Sequence, residues 1–398
     1  MRLLVSVGSA TGHLRPVIPI SVESKRRGHE LLVVAGRVAR AETEAFGLDF
    51  ADVPELSPAE QMAFRRSLEQ APIEERPAAV LGMFFRRAEM VTPKLIEIVD
   101  SWKPDLILRE TLAWAAVFAG DLKDIPVASF DFNPRPGSFL APRIGDRFAG
   151  FRKQLGLPAD PDLETLDRWL TLVGAPPEWF AADTLPATAH LIRPSDPDAP
   201  AGESIDALFE AFDDRPVVYA TLGTTFNAAP GVWPMLLEGL ATIDANVIAT
   251  IGRDLDPTQF GPQPSNVRVV PFASQALILP RCSAVLAHGG YGSLMGALSH
   301  GLPIVSVPLA ASDNQTNAAR LEELGAGIAI REVSRSSRNV AAAVTRVLVE
   351  PNYRAAARRL AESIRALPTT ADTVDLLERL AVERQPIFRA GAPRNESN

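Results

Sequence analysis

Ser283-Ala284-Val285-Leu286-Ala287-His288-Gly289-Gly290-Tyr291-Gly292-Ser293 carries the reading of the fold. An apolar run of strand length meets a glycine-rich turn, and a helix from Leu294 to His300 follows until Gly301 stops it. Glycines let the backbone approach a bulky anion, and the free N–H groups of a helix's first turn favour negative charge. Ser293 adds a hydroxyl donor and His288 a ring N–H. A tight turn that needs glycine for packing alone has the same glycines. The flanking His288 and Ser293 favour an anion site.

Outward from this stretch the same strand–helix rhythm recurs. Pro216–Leu222 is a strand running into a Gly223-Thr224 turn, and Val247–Ile251, Val267–Pro271 and Pro303–Pro308 are further strands. At the other end of the chain Leu3–Val7 precedes a turn, Gly8 to Gly12, and a helix from Leu14 to Arg27 that Gly28 ends. Glu30–Ala35, Asp105–Leu108 and Ile125–Phe130 complete that series. Residues 135–200 are proline-rich, with a helical piece at Leu163–Val173 and a strand at Thr188–Ile192. Arg193–Pro200 reads as a linker by composition. Strands separated by helices pair in parallel through crossovers. The expected fold class is therefore α/β, with two Rossmann-like doubly wound domains facing each other across a cleft. The boundaries are 1–200 for the first domain, 201–215 for a linker, 216–375 for the second domain and 376–398 for a C-terminal helix and tail, frayed from about Gln385. A ligand is expected at the carboxyl ends of the strands, in the cleft.

Bulk properties narrow the function. The 398 residues suit two domains, and 46% hydrophobic with 22% charged residues describe a globular chain. A net charge of −8 without a basic stripe argues against a nucleic-acid partner. Cys282 stands alone, so no disulfide forms within the chain and a reducing, cytoplasmic setting is expected. It precedes an apolar run, where it reads as a small buried hydrophobe. The start of the chain lacks the pattern of a signal peptide, and no apolar run of 18 residues is present to span a membrane.

The run His288-Gly-Gly-Tyr-Gly-Ser293 through Gly301-Leu-Pro303, Pro308, Asp313-Asn314 and Asn317-Ala-Ala-Arg320 to Gly325-Ala-Gly327 resembles, in order and spacing, the donor-binding signature of the family 1 nucleotide-sugar glycosyltransferases of GT-B fold, which include actinobacterial natural-product and antibiotic-biosynthesis enzymes. Gly12-His13-Leu14-Arg15-Pro16 is similar to that family's Gly-His-x-x-Pro segment. The resemblance implies a transferase moving a sugar from a nucleotide diphosphate, with the nucleotide sugar as cosubstrate and no separate cofactor or metal. It implies that His288 and Ser293, with the backbone of Gly289, Gly290 and Gly292, hold the diphosphate. Phe272 and Gln275 lie toward the base, Gly223 and Thr224 face the donor, and Asp313 and Asn314 contact the sugar. Asp313 or Asn314 can equally cap the helix that follows. Asn314 replaces the family's usual glutamine, and Gly296 replaces a glutamate that in some relatives grips the ribose. The latter favours a dTDP-sugar, a deoxysugar donor, over a UDP-sugar.

The acceptor hydroxyl needs a base. His13, in the first turn, titrates in the right range, and Glu110, following the strand at 106–108, can orient it. Asp105, Asp121 and Asp131 are competing acids nearby. Displacement from the opposite face inverts the anomeric carbon. Phe84, Phe85, Trp114 and Phe132 are candidates to line a slot for a small hydrophobic aglycone, though an aromatic stripe on a helix is commonly core. Two other readings stand beside this one. The first is an NADP-dependent oxidoreductase using Gly8-x-x-x-Gly12 and Arg37, weakened by the missing G-x-G-x-x-G pattern. The second is a non-catalytic auxiliary protein of the same fold.

Overall fold

The structure, a computed structural model, describes residues 1–8, 11–72, 75–132, 134, 137–180, 184–197, 203–210, 212–223, 229–253, 255–309 and 312–391. Two compact units result, one formed by Met1–Arg193 with Leu367–Asn398 and the other by Pro194–Ala366.

The first unit holds a parallel sheet of seven strands: β1 (Arg2–Ser6), β2 (Glu30–Ala35), β3 (Asp49–Asp52), β4 (Leu106–Glu110), β5 (Val127–Asp131), β6 (Leu170–Val173) and β7 (Ala189–Leu191). Their order is β3-β2-β1-β4-β5-β6-β7. β1 is registered on β4 from Leu3 opposite Leu106 to Ser6 opposite Arg109. Helices cover the sheet, so β4 and β5 are buried at every position, with apolar runs at Leu106–Leu108 and Val127-Ala128. Leu4, Ile107, Phe85, Leu95, Phe118 and Phe148 form the core between the sheet and helix Arg76–Trp102.

The second unit repeats the plan with six parallel strands: β8 (Val217–Thr221), β9 (Asn246–Thr250), β10 (Val267–Val270), β11 (Ala284–Ala287), β12 (Ile304–Ser306) and β13 (Gly327–Ala329). Their order is β10-β9-β8-β11-β12-β13, with Val218, Leu236, Val247, Leu286 and Val305 in the core. Each sheet therefore reverses its order of addition once, at β1/β4 and at β8/β11. Ligands of doubly wound sheets bind outside the strand ends at such a reversal.

Three readings of the sequence change. Leu163–Val173 is not one helix: Glu164–Asp167 is a single 3₁₀ turn and Leu170–Val173 is β6. Four residues, Leu-Thr-Leu-Val, carry too little period to distinguish helix from strand, and pairing with both β5 and β7 settles the matter. β3 and β13 were not foreseen. Both are short edge strands, one bounded by Asp49 and Asp52 and the other opening on Gly327. Residues 385–391, expected to fray, are held by the backbone. Ile387 N–H donates to Trp169 O at 2.8 Å and Arg389 N–H to Ala187 O at 2.9 Å. Helix Thr370–Glu383 lies against helix Ile18–Arg26, where Arg27 pairs with Asp375 at 2.5 Å and His29 with Glu378 at 2.8 Å. Among the described residues no helix is long and apolar enough to cross a membrane.

Candidate active site

The first reversal brings His13 and Glu110 together. Glu110 ends β4 and is fully buried. Its Oε1 accepts from Gly8 N–H at 2.9 Å, and its Oε2 accepts from Leu112 N–H at 3.0 Å and meets His13 Nδ1 at 2.9 Å. Burial pushes this carboxyl up, while the charge and hydrogen bond of His13, the Leu112 N–H and the Arg87 charge pull it down. The net direction is below the ordinary glutamate value. An ionised carboxylate accepts only, so the network assigns the ring proton to Nδ1 and makes Nε2 the basic nitrogen. Glu110 is thus the partner of His13. Asp121 instead pairs with Arg152 and Arg168, and Asp131 bonds Thr111.

Gly8 makes this approach possible. A Cβ there would stand 2.8 Å from Glu110 Oε1 and 3.4 Å from His13 Nδ1. The same N–H that a dinucleotide-binding turn would offer to a pyrophosphate is given to a carboxylate, and Arg37 pairs with Asp52. Both observations count against the oxidoreductase reading. Phe132 meets the His13 ring edge-on at 5.2 Å between centroids, and Phe84 lies tilted at 6.1 Å. Phe85 and Trp114 differ from the slot-lining expectation: at 0% and 2% exposure they belong to the core, their rings 6.1 Å apart and Phe85 facing Phe118 and Phe148.

The second reversal gathers the glycine turn. β11 is registered on β8 with Ala287 opposite Thr221, so Gly223 and His288 leave adjacent strand ends. A Cβ on Gly223, whose φ is +71°, would stand 2.5 Å from His288 Cε1, and one on Gly290 would stand 2.4 Å from Nε2. The imidazole is held between two glycines because neither has a side chain. Burial lowers its pKa to about 4, so it is neutral near pH 7, and its Nδ1 has no hydrogen-bond partner among the described residues. Tyr291, Gly292 and Ser293 form the first turn of helix Tyr291–Ser299, whose free N–H groups carry partial positive charge.

Gly289, at φ +89°, packs on the start of helix Ser312–Glu323, where its Cβ would stand 2.8 Å from Asn314 O. Asn317, not among the candidate site residues, donates from Nδ2 to Gly289 O at 3.0 Å. Asp313 is half-buried and Asn314 buried in the first turn of that helix, and Asn314 Nδ2 has no partner among the described residues. Gln275 Nε2 donates to Asp196 Oδ2 at 3.1 Å and to Gly292 O at 3.3 Å. Arg253 stacks over Phe272 at 3.6 Å. Thr224 lies outside the described residues. Cys282 donates to Ile278 O, and burial pushes its thiol up to about 12. Gly8 and Arg253 were also absent from the candidate residues. Gly8 stood in the first turn as a signal, but its partner Glu110 is 102 residues away.

The chain matches two models of the erythromycin biosynthesis protein CIII-like family, the N-terminal domain over residues 24–199 and the C-terminal domain over residues 234–380. It is 28% identical to 4'-demethylrebeccamycin synthase of Lentzea aerocolonigenes over 428 aligned positions, covering 95% of this chain and 99% of that protein. It is 29% identical to L-demethylnoviosyl transferase of Streptomyces niveus, covering 98% and 100%. Among solved structures it is similar to the glycosyltransferase SsfS6 of Streptomyces sp. SF2575 complexed with thymidine diphosphate, with a TM-score of 0.78, 25% identity and coverage of 95% and 99%. The glycosyltransferase VinC in complex with dTDP shares the fold, with a TM-score of 0.77, 24% identity and coverage of 96% and 100%. The two parallel sheets are those of a GT-B fold, and the chain belongs to the erythromycin biosynthesis protein CIII-like family as a glycosyltransferase of natural-product biosynthesis.

Proposed function

We propose that this enzyme moves a sugar from a dTDP-sugar onto a hydroxyl of a small, flat, hydrophobic aglycone in the cytoplasm, inverting the anomeric carbon without a metal. The observation that carries the reading is that each sheet's reversal holds one half of the required chemistry. One has a histidine base on a buried carboxylate; the other has a glycine turn opening a helix beside a neutral histidine.

In the second unit the diphosphate lies against Gly289, Gly290 and Gly292 at the N-terminus of helix Tyr291–Ser299, with His288 and Ser293 as donors. That arrangement meets the charge that grows on the departing diphosphate. Phe272 and Gln275 take the base side, Asp313 and Asn314 the sugar, and Gly223 faces the donor from beyond the end of β8. Gly296 supports a thymidine donor: it offers no side chain to a ribose diol, and the tips of Gln275 and Asp196 take the space beside it, 2.3 and 2.8 Å from where a Cβ would stand. SsfS6 with its thymidine diphosphate supports the same choice.

In the first unit His13 Nε2 takes the proton of the acceptor hydroxyl. The acceptor oxygen bonds to the anomeric carbon from the face opposite the diphosphate. The bond from that carbon to the diphosphate oxygen breaks, and its electron pair leaves with the nucleotide. Glu110 stabilises the imidazolium that forms. Phe84 and Phe132, against the His13 ring, are the acceptor-side aromatics.

Calorimetric titration with dTDP and UDP, then a panel of their sugars and polyphenolic acceptors assayed with and without EDTA, tests the proposal. The anomeric coupling constant of the product reads stereochemistry. dTDP should bind at least as tightly as UDP, and EDTA should leave the rate unchanged. Failure of every nucleotide sugar to react or bind sinks the reading.

A further inference from the structure

Arg87 lies on helix Arg76–Trp102, three residues after Phe84, and is only 9% exposed. Its Nε is sealed from solvent without a hydrogen-bond partner among the described residues. Its Nη1 would stand 3.1 Å from a Cβ at Gly8, the same point that Glu110 Oε1 approaches to 2.8 Å and His13 Nδ1 to 3.4 Å. A guanidinium, a carboxylate and an imidazole therefore converge on the space left by one missing side chain. Burying a cation that lacks good hydrogen bonds is costly, so its charge has to be answered nearby. Burial pulls the Arg87 guanidinium down, and the charges of Glu110 and Glu55 oppose that shift.

We infer that Arg87 is a positioning residue for the His13–Glu110 pair, its permanent charge holding Glu110 as an anion while limiting that anion's pull on the imidazole. The inference rests on His13 being the base. A buried carboxylate 2.9 Å from an imidazole strongly favours the imidazolium, and an imidazole already protonated takes no proton from an acceptor. A cation facing the same gap beside Gly8 offsets this. Other charges around the pair are answered locally. Arg15 pairs with Glu42 at 2.7 Å, Arg109 lies in the field of Asp131 and Asp167 as well as Glu110, and Glu55 accepts from Arg37 N–H.

The test follows the His13 ring proton by NMR against pH in wild type, Arg87→Met and Arg87→Lys, with His13→Asn assigning the signal and no substrate present. Removing the charge should raise the His13 midpoint by about one pH unit, and lysine should restore it. The acid limb of kcat/KM should move with the midpoint in each variant. If Arg87→Met does not fold, Arg87→Gln is read in its place. A midpoint that stays put or falls overturns the inference, even when sugar transfer proceeds. A midpoint that rises while no sugar is transferred leaves this electrostatic role standing and removes the proposed function instead.

Discussion

His13 Nδ1 stands 2.9 Å from Glu110 Oε2; His13 follows β1 and Glu110 ends the neighbouring β4, at the reversal of the first sheet. Because the carboxylate also takes the N–H groups of Gly8 and Leu112, its orientation is fixed by the backbone of two turns. The imidazole inherits that orientation. His13→Ala should lower kcat by about 10³-fold or more while nucleotide affinity stays constant. Glu110→Gln should cost roughly 10²- to 10⁴-fold, since an amide turns one donor toward Gly8 or His13 and disturbs the tautomer. Steady-state rates and calorimetry on the same preparations separate the two effects.

Gly223→Ala strikes the other half. The new methyl stands 2.5 Å from His288 Cε1, in a backbone at φ +71° that alanine tolerates poorly. The strain costs about 1–2 kcal/mol of stability. The displaced imidazole should weaken binding of dTDP roughly tenfold, which titration reads directly. Unchanged affinity would show that His288 does not touch the diphosphate.

The pH dependence of His288 has a definite sign. Its folded value, lowered by burial to about 4, is below the unfolded value of about 6.5. The unfolded chain thus takes up a proton that the native state refuses, and stability falls as pH drops from about 6.5 toward 4. Urea unfolding between pH 7.5 and 5 should show wild type losing about 2 kcal/mol more than His288→Gln. On the proposed contact, the charge of a bound diphosphate favours the imidazolium. dTDP should therefore bind more tightly as pH is lowered from 7 to 5 in wild type, and not in the variant.

Most of this architecture was legible in the sequence because parallel strands buried on both faces leave continuous apolar runs, as at Leu106–Leu108 and Ala284–Ala287. The glycine turn at 289–292 was equally plain. What escaped depended on tertiary partners. Leu170–Val173 is a strand because β5 and β7 pair with it, and Thr370–Glu383 joins the first unit through Arg27 and His29. Arg87 was not among the candidate residues. Its burial beside Gly8 follows from long-range packing that no local pattern carries. Phe85 and Trp114 of the aromatic list turn into the core for the same reason: adjacent residues on a helix face different ways, and nothing local says which way is inward.

Phe84 and Phe85 make that last point testable. Phe85 is fully buried among Trp114, Phe118 and Phe148, so Phe85→Ala should cost about 3–5 kcal/mol by leaving a cavity. Phe132 lies edge-on to His13, the proposed base, at 5.2 Å. Phe132→Ala and Phe84→Ala should leave the melting temperature within a few degrees while raising the acceptor KM several-fold, with dTDP affinity unaltered. If Phe85→Ala melts like wild type, the core drawn around helix Arg76–Trp102 is wrong. If the Phe132 and Phe84 variants keep a wild-type KM for every acceptor that is turned over, the hydrophobic slot lies elsewhere in the first unit.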